Sequence, residues 1–360
     1  MNSHDSGLIE NGLLKNGFEK AFSVTDADVV VFNTCSVRDH ADHKIISELG
    51  RLKKNYSDKK IVLAGCFAKQ TKLKKEPQRG LFFDYCFGPD EIFSIPDALK
   101  NDTKDAKEAY YTETEDKYFS AIKEYFYDKK PENGRASVKI TEGCNNFCSY
   151  CIVPYVRGEE RSIPLNIIYN TVKNLINDGA DEVLLLGQNV NAYLSPDDGK
   201  KDFCFLLDAL SEIEGSFKIK FLTSHPKDFN DRLTNLICGN DKISKEIHLP
   251  VQSGSDKILL DMNRGYTRAD YLRLIEKLRS KNPDISVSTD IIVGFPGETD
   301  EDFQMTLSLM EEVKFDFIFG FKYSPRPFTK AFEIKDDVSL EIKKERLEKI
   351  FQKQKEILCS

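Results

Sequence analysis

Three cysteines share one short run, Glu142-Gly-Cys-Asn-Asn-Phe-Cys-Ser-Tyr-Cys151, at positions Cys144, Cys148 and Cys151. Thiolates ligate iron, and the C-x3-C-x2-C spacing lets a single loop wrap a cubane cluster. Three thiolates on four irons leave one iron open, and an open position marks a catalytic rather than a closed structural metal site. A structural zinc site would need a fourth cysteine or histidine close by, and the next histidine along the chain is His225. Two other cysteines are built alike. Asn33-Thr34-Cys35 and Ala64-Gly65-Cys66 each end an apolar β run and lead into a helix. In a parallel sheet both would emerge at one edge, at helix N-termini whose dipole favours a thiolate. That is ligand geometry, with two buried core cysteines as the plain alternative.

These residues need elements to bring them together. The C-terminal two-thirds repeats a strand, a loop and an amphipathic helix six times. The strand candidates are Ala136–Ile140, Glu182–Leu186, Phe217–Thr223, Glu246–Val251, Ile285–Val293 and Asp316–Tyr323. Thr267 with Asp270, and Thr299 with Asp302, read as capping boxes that start two of the helices. Gly179 follows a third helix, where a left-handed cap is expected. Strands alternating with helices give a parallel sheet, and six such units give a partial (β/α)6 barrel. Chemistry in such barrels sits on the loops at the C-terminal strand ends. Every unusual loop falls there: the cysteine triad, Gly187-Gln188-Asn189, Ser224-His225-Pro226, Gln252-Ser253-Gly254, Gly294-Phe295-Pro296-Gly297-Glu298 and Tyr323-Ser324-Pro325-Arg326-Pro327.

The N-terminal third is also βα in style, with apolar runs at Val29–Phe32, Ile61–Ala64 and Phe82–Phe87 and a helix from Asp90 to Leu99. The reading is a Rossmann-like N-terminal domain over 1–105, a polar, tyrosine-rich linker over 106–133 and a barrel domain over 134–360. At 360 residues two domains are the prior expectation. Nine cysteines, an odd number, in a chain without secretory features disfavour a disulfide framework and point to metal or redox use in a reducing compartment. No apolar stretch is long enough to span a membrane and no signal peptide is visible, so a cytoplasmic protein with no membrane association is expected. A net charge of −7 disfavours non-specific coating of nucleic acid but leaves room for a local basic patch.

The C-x3-C-x2-C spacing resembles the radical S-adenosylmethionine (SAM) superfamily, in which the open iron chelates SAM and reduction releases a 5′-deoxyadenosyl radical. The runs NTCSVRDHAD, AGCFAKQ, EGCNNFCSYCIVPYVRGEERS, LLLGQNVNAY, HLPVQSGSDKILLDMNRGYTRADY, STDIIVGFPGETDEDF and YSPRP together resemble the methylthiotransferase family over nearly the whole chain. LLGQNVNAY, MNRGYT and YSPRP are most similar to its MiaB-type branch. That branch adds a methylthio group to carbon 2 of N6-dimethylallyladenosine beside the tRNA anticodon. The resemblance implies SAM and two 4Fe-4S clusters as cofactors. Cys144, Cys148 and Cys151 would hold the SAM-cleaving cluster, and Cys35 and Cys66 two of three auxiliary ligands. It places Tyr150 near the adenine, the loop carrying Gly294, Gly297 and Glu298 beside the adenosyl group, and Gln188, Gln252 and Ser253 toward methionine and ribose. Gly294 and Gly297 could equally serve only a tight turn, and Gln252 only a cap. The implied partners are the tRNA anticodon stem-loop, an electron donor such as flavodoxin or ferredoxin, and a sulfur carrier, with the enzyme a monomer.

The chain departs from the family in places. Members open with a strand ending Gly-Cys-Gln-Met-Asn and continue into a C-terminal TRAM domain. This chain opens at Met1-Asn2-Ser3 and stops at Ser360 in a charged helix. The expectation is truncation at both ends, with the first strand missing, TRAM absent and the auxiliary cluster incomplete. Phe328 stands where the family usually has Gly, and Ile163 where it has Arg. Cys86 reads as a core residue, and His225, before Pro226, as structural rather than a base. Cys204, Cys238 and Cys359 read as packing or surface residues. Arg157, Arg161, Arg264 and Arg326 lie on or near the mouth and suit phosphate or SAM carboxylate contacts, since arginine pairs bidentately with both. Two other readings stand beside the leading one: a methylthiotransferase acting on threonylcarbamoyladenosine tRNA or a ribosomal protein, and an iron–sulfur carrier or electron-transfer protein.

Overall fold

A computed structural model describes residues 1–36, 39–74, 81–101, 122, 131–197 and 199–359, without the side chains of 39–43. Most of the expected 106–133 linker therefore lies outside the described residues. The chain divides into two compact units, Met1–Lys130 with Ile152–Gly158, and Pro131–Cys151 with Glu159–Ser360. The short return of Ile152–Gly158 to the first unit is not foreseen by a contiguous domain boundary.

The first unit holds α1 (Asn2–Lys15), β1 (Val29–Thr34), α2 (Asp39–Asn55), β2 (Lys60–Gly65), α3 (Cys66–Leu73), β3 (Tyr85–Phe87) and α4 (Ile95–Asn101), with α5 (Val153–Arg157) packed on α3. Its three strands are parallel in the order β1-β2-β3, so β2 is central. Leu49, Leu52, Ile61, Leu63, Phe67 and Cys86 form the core, with Val30 and Phe32 packed against it. Two elements are shorter than their apolar patterns suggest. Phe82 is exposed and only Tyr85–Phe87 pairs. Pro96 confines the α-helix to a start at Ile95, because proline is tolerated only where no intrahelical donor is needed.

The second unit begins with β4 (Arg135–Lys139) and a small hairpin of β5 (Thr141–Glu142) with β6 (Arg161–Ser162). It continues through α6 (Leu165–Asn177), β7 (Glu182–Leu186), α7 (Phe203–Ser211), β8 (Lys218–Phe221), α8 (Asp231–Gly239) and β9 (Glu246–His248). After these come α9 (Asp256–Asp261), α10 (Arg268–Lys281), β10 (Ser286–Val293), α11 (Asp300–Val313), β11 (Phe317–Lys322) and α12 (Leu340–Cys359). The other six strands are parallel, β4-β7-β8 in one sheet and β9-β10-β11 in another. The bridge Ile219↔Ile243, with Ser244 N–H donating to Ile219 O at 2.9 Å, joins the two sheets into the expected open six-strand barrel. In β10 buried residues alternate with half-buried ones, which is the pattern of a strand with helices on one face and the lumen on the other.

Both capping boxes form, at Thr267/Asp270 and Thr299/Asp302. Gly179 has φ +95° after α6. β9 stops at His248 rather than Val251 because Pro250 has no N–H to give a ladder. β8 stops at Phe221, and two residues on Thr223 turns to φ +67°. Among the described residues no helix is long and apolar enough to cross a membrane.

Candidate active site

The cysteine loop of the barrel unit is latched at several points. Ser149 N–H donates to Met262 O at 3.0 Å and its Oγ to Asp261 O at 2.7 Å. Asn263 Nδ2 donates to Asn146 O and Phe147 O at 3.2 and 3.1 Å, and Ala331 N–H to Ser149 O at 2.8 Å. The turn after α9 thus holds the loop as a template. Cys144 and Cys148 are buried and Cys151 is half-buried. Burial pushes the Cys144 thiol up to about 11, so it stays protonated at neutral pH until a cation takes the proton's place.

Tyr150 packs beside the buried cluster of Ile258, Met262, Phe295, Tyr323 and Ala331. On the loops after the strands, buried polar atoms lack a hydrogen-bond partner among the described residues: Thr141 Oγ1 after β4, Gln188 Oε1 and Asn189 Oδ1 after β7, Ser224 Oγ and His225 Nε2 after β8, and Gln252 Oε1 after β9. Orphaned atoms are costly, and when they gather at one rim they ask for a polar ligand. Gln252 is at φ +74° with its backbone bonded to Asp290 and Ile292.

Two residues expected at the cofactor are engaged elsewhere. Ser253 Oγ lies 3.4 Å from Thr306 Oγ1 and accepts from Ser255 N–H at 3.2 Å. Glu298 accepts Gly294 N–H at 3.0 Å and Arg346 Nη1 at 2.6 Å, both carboxylate and guanidinium being buried. Burial raises the Glu298 pKa, against the pull of Gly294 N–H and Arg346. Glu298 therefore braces the glycine loop from within. Gly294, at φ +69°, has the stem of Lys343 where a Cβ would go, and Gly297 is at φ +78°.

His225 is buried and its Nδ1 accepts Lys227 N–H at 3.3 Å. Burial, helped by the cations Arg264 and Lys227, lowers its pKa to about 2. A proton-accepting role near neutrality is thereby disfavoured.

In the first unit the register Asn33↔Ala64 and Thr34↔Gly65 brings Cys35 and Cys66 out side by side at one sheet edge. Gly65 is at φ +90°, and a Cβ there would lie 2.5 Å from Thr34 O, so only glycine lets the two strand ends approach. Cys66 opens α3, and burial pushes its thiol up to about 11, with Arg157 pulling the other way. That corrects the expectation of a dipole-lowered thiol. Cys86 is buried in the core and its thiol faces Ala68 O at 3.6 Å.

The arginines divide. Arg157 is buried, donating Nη2 to Asp5 Oδ2 at 2.6 Å and Nε to Cys66 Sγ at 3.2 Å. Arg264 is buried against Cys148 (3.3 Å) and Pro250 O (2.8 Å). Both guanidiniums are engaged within the chain. Arg326 is also buried. Arg161 keeps a partly exposed side chain 3.7 Å from Glu142. Ile163 is buried under Tyr193, whose hydroxyl donates to Ile163 O at 3.0 Å. Phe328 is exposed at φ +73°, a conformation that favours the glycine usual there.

Three cysteines on one latched loop are thiolate donors of the kind that hold an iron–sulfur cluster.

Comparison with known proteins gives the class first. The family model of the radical SAM superfamily matches residues 138–310, and that of the uncharacterized protein family UPF0004 matches residues 1–88. The chain is similar to tRNA-2-methylthio-N(6)-dimethylallyladenosine synthase of Natranaerobius thermophilus, 42% identical over 99% of this chain and 79% of that protein. The same enzyme of Pelotomaculum thermopropionicum is 41% identical over 99% and 80%, and that of Nitrosomonas europaea 42% over 98% and 80%. The chain belongs to the radical SAM methylthiotransferase family, whose cofactors are SAM and 4Fe-4S clusters. Among solved structures it resembles the radical SAM methyltransferase TsrM of Kitasatospora setae with cobalamin and a [4Fe-4S] cluster bound. That likeness has a TM-score of 0.64 at 15% identity, covering 92% of this chain and 71% of that one, and concerns the fold alone.

Proposed function

We propose that this chain transfers a methylthio group to carbon 2 of N6-dimethylallyladenosine next to the tRNA anticodon. The observation that carries this reading is the set of orphaned polar atoms on the loops that follow the barrel strands, as the latched cysteine loop does, in a chain whose relatives bear that activity in their names. When bound, the cluster and SAM supply a 5′-deoxyadenosyl radical.

The protein binds and orients. Cys144, Cys148 and Cys151 hold the SAM cluster on a loop fixed by the turn after α9. Gln188 and Gln252, whose side-chain oxygens have no partner among the described residues, would bind the methionine or ribose groups of SAM, and Tyr150 with Gly294 and Gly297 would bind its adenosyl group. Cys35 and Cys66 contribute to the auxiliary cluster. Arg161, with its partly exposed side chain, is the arginine for the RNA backbone or a carboxylate. An RNA loop base must be unstacked to reach such a site. The anticodon stem-loop, a one-electron donor of the flavodoxin or ferredoxin type, and a sulfur carrier complete the reaction, in the cytoplasm.

The test is nucleoside mass spectrometry. Reconstituted protein is given SAM, reductant, sulfide and tRNA carrying N6-dimethylallyladenosine, and is expected to yield 2-methylthio-N6-dimethylallyladenosine. No such product, while 5′-deoxyadenosine is released, would contradict the substrate assignment.

A further inference from the structure

Arg264 is a buried cation with an unusual set of partners. Its Nη1 donates to Cys148 Sγ at 3.3 Å and lies 3.4 Å from the Tyr150 hydroxyl. Its Nη2 donates to Pro250 O at 2.8 Å, and its Nε to the Tyr266 hydroxyl at 3.0 Å. The Tyr266 hydroxyl in turn reaches Val251 O at 2.9 Å. The side chain is 4% exposed, and among the described residues no carboxylate pairs with it. Its partners are two hydroxyls, a backbone carbonyl and the cysteine sulfur, and only the sulfur, as a thiolate, carries charge. A buried charge without a counter-ion is costly, so the guanidinium asks for negative charge at Cys148. The site also cannot trade arginine for lysine freely. Three nitrogens, Nη1, Nη2 and Nε, are used on three different groups, and only a planar fork supplies that geometry.

We infer that Arg264 is a positioning and tuning residue for the SAM cluster: it donates a hydrogen bond to the Cys148 thiolate sulfur and holds one fixed positive charge beside it. The inference rests on the cluster being held by Cys144, Cys148 and Cys151. Outer-sphere donors to ligand sulfurs, together with net charge, set the reduction potential of such centres. Reduction adds one electron from a low-potential donor and so one negative charge, which an adjacent cation stabilises more than it does the oxidised state. Arg264 therefore makes the cluster easier to reduce. The link through Pro250 and Tyr266 also ties the cysteine loop to the segment after β9, just before Gln252.

The full chain and its Arg264→Lys and Arg264→Gln variants are reconstituted anaerobically, and iron is counted. The SAM-cluster potential is then read by titration followed by electron paramagnetic resonance, in a Cys35→Ala/Cys66→Ala background that leaves one centre. The expected result is a shift to lower potential in Arg264→Gln at unchanged iron content, with Arg264→Lys between it and the parent. Arg264→Gln should also slow 5′-deoxyadenosine release with a flavodoxin-type donor more than with a stronger chemical reductant. An unchanged potential in both variants overturns the tuning role. Loss of the cluster in both, with the fold intact by circular dichroism, also overturns it and leaves a purely structural one. If the parent itself takes up no cluster, the cluster assignment has failed instead.

Discussion

Single side chains at the barrel mouth carry charge states that burial decides. His225 stays neutral in the folded protein down to about pH 2, whereas the unfolded chain takes up that proton near 6.5. Between those values the unfolded state binds one more proton, so stability rises with pH. The contribution is complete above about 6.5 and is lost as the medium is acidified below it. At pH 5 the loss is about 2 kcal/mol, from ~1.4 kcal/mol per pH unit for one proton. Urea denaturation at pH 7 and pH 5 should show a smaller acid loss, by about that amount, for His225→Gln than for the parent. Equal losses would place the histidine's proton elsewhere. At this scale the sequence was legible where chemistry is local. The cysteine triad declares itself within eight positions of one loop. The arginines did not. Arg157 meets Cys66 across 91 positions and Arg264 meets Cys148 across 116, so their spacing along the chain says nothing of the sulfur they face.

The glycine loop after β10 shows how one element fixes another. α12 lays Arg346 against Glu298 and Asp300, at 2.6 and 2.8 Å, and the stem of Lys343 against Gly294. The Arg346–Glu298 pair is buried, and removing one member of such a pair leaves the other uncompensated, at a cost of about 3–5 kcal/mol. Arg346→Met should lower stability by roughly that much in chemical denaturation. Lys349→Ala, which breaks an exposed pair with Glu345, should cost under about 0.5 kcal/mol. Similar losses from the two would contradict the bracing role. The barrel strands and two capped helices were readable because period and cap chemistry are local. What sequence pattern missed are ends and exceptions. Pro250 and Thr223 clip two strands. α1 was not foreseen, because Gly7, Asn11 and Gly12 interrupt any apolar stripe.

Over the whole molecule, each compact unit brings cysteines to the C-terminal edge of a parallel sheet, by strand ends in one and by a latched loop in the other. The fold class, and the placement of Cys35 and Cys66 after two parallel strands, could be read from the sequence, since a parallel βα pattern dictates where loops gather. The passage of Ile152–Gly158 into the first unit could not, because it is decided by which surfaces pack, not by local pattern. The central claim is that the barrel loop, and not the other cysteines, carries SAM cleavage. The direct measurement is 5′-deoxyadenosine released per chain after anaerobic reconstitution with SAM and reductant. It compares the parent, Cys35→Ala/Cys66→Ala, and the triple variant Cys144→Ala/Cys148→Ala/Cys151→Ala. Release from the first two and none from the triple variant is the expected result. Undiminished release from the triple variant would contradict the claim.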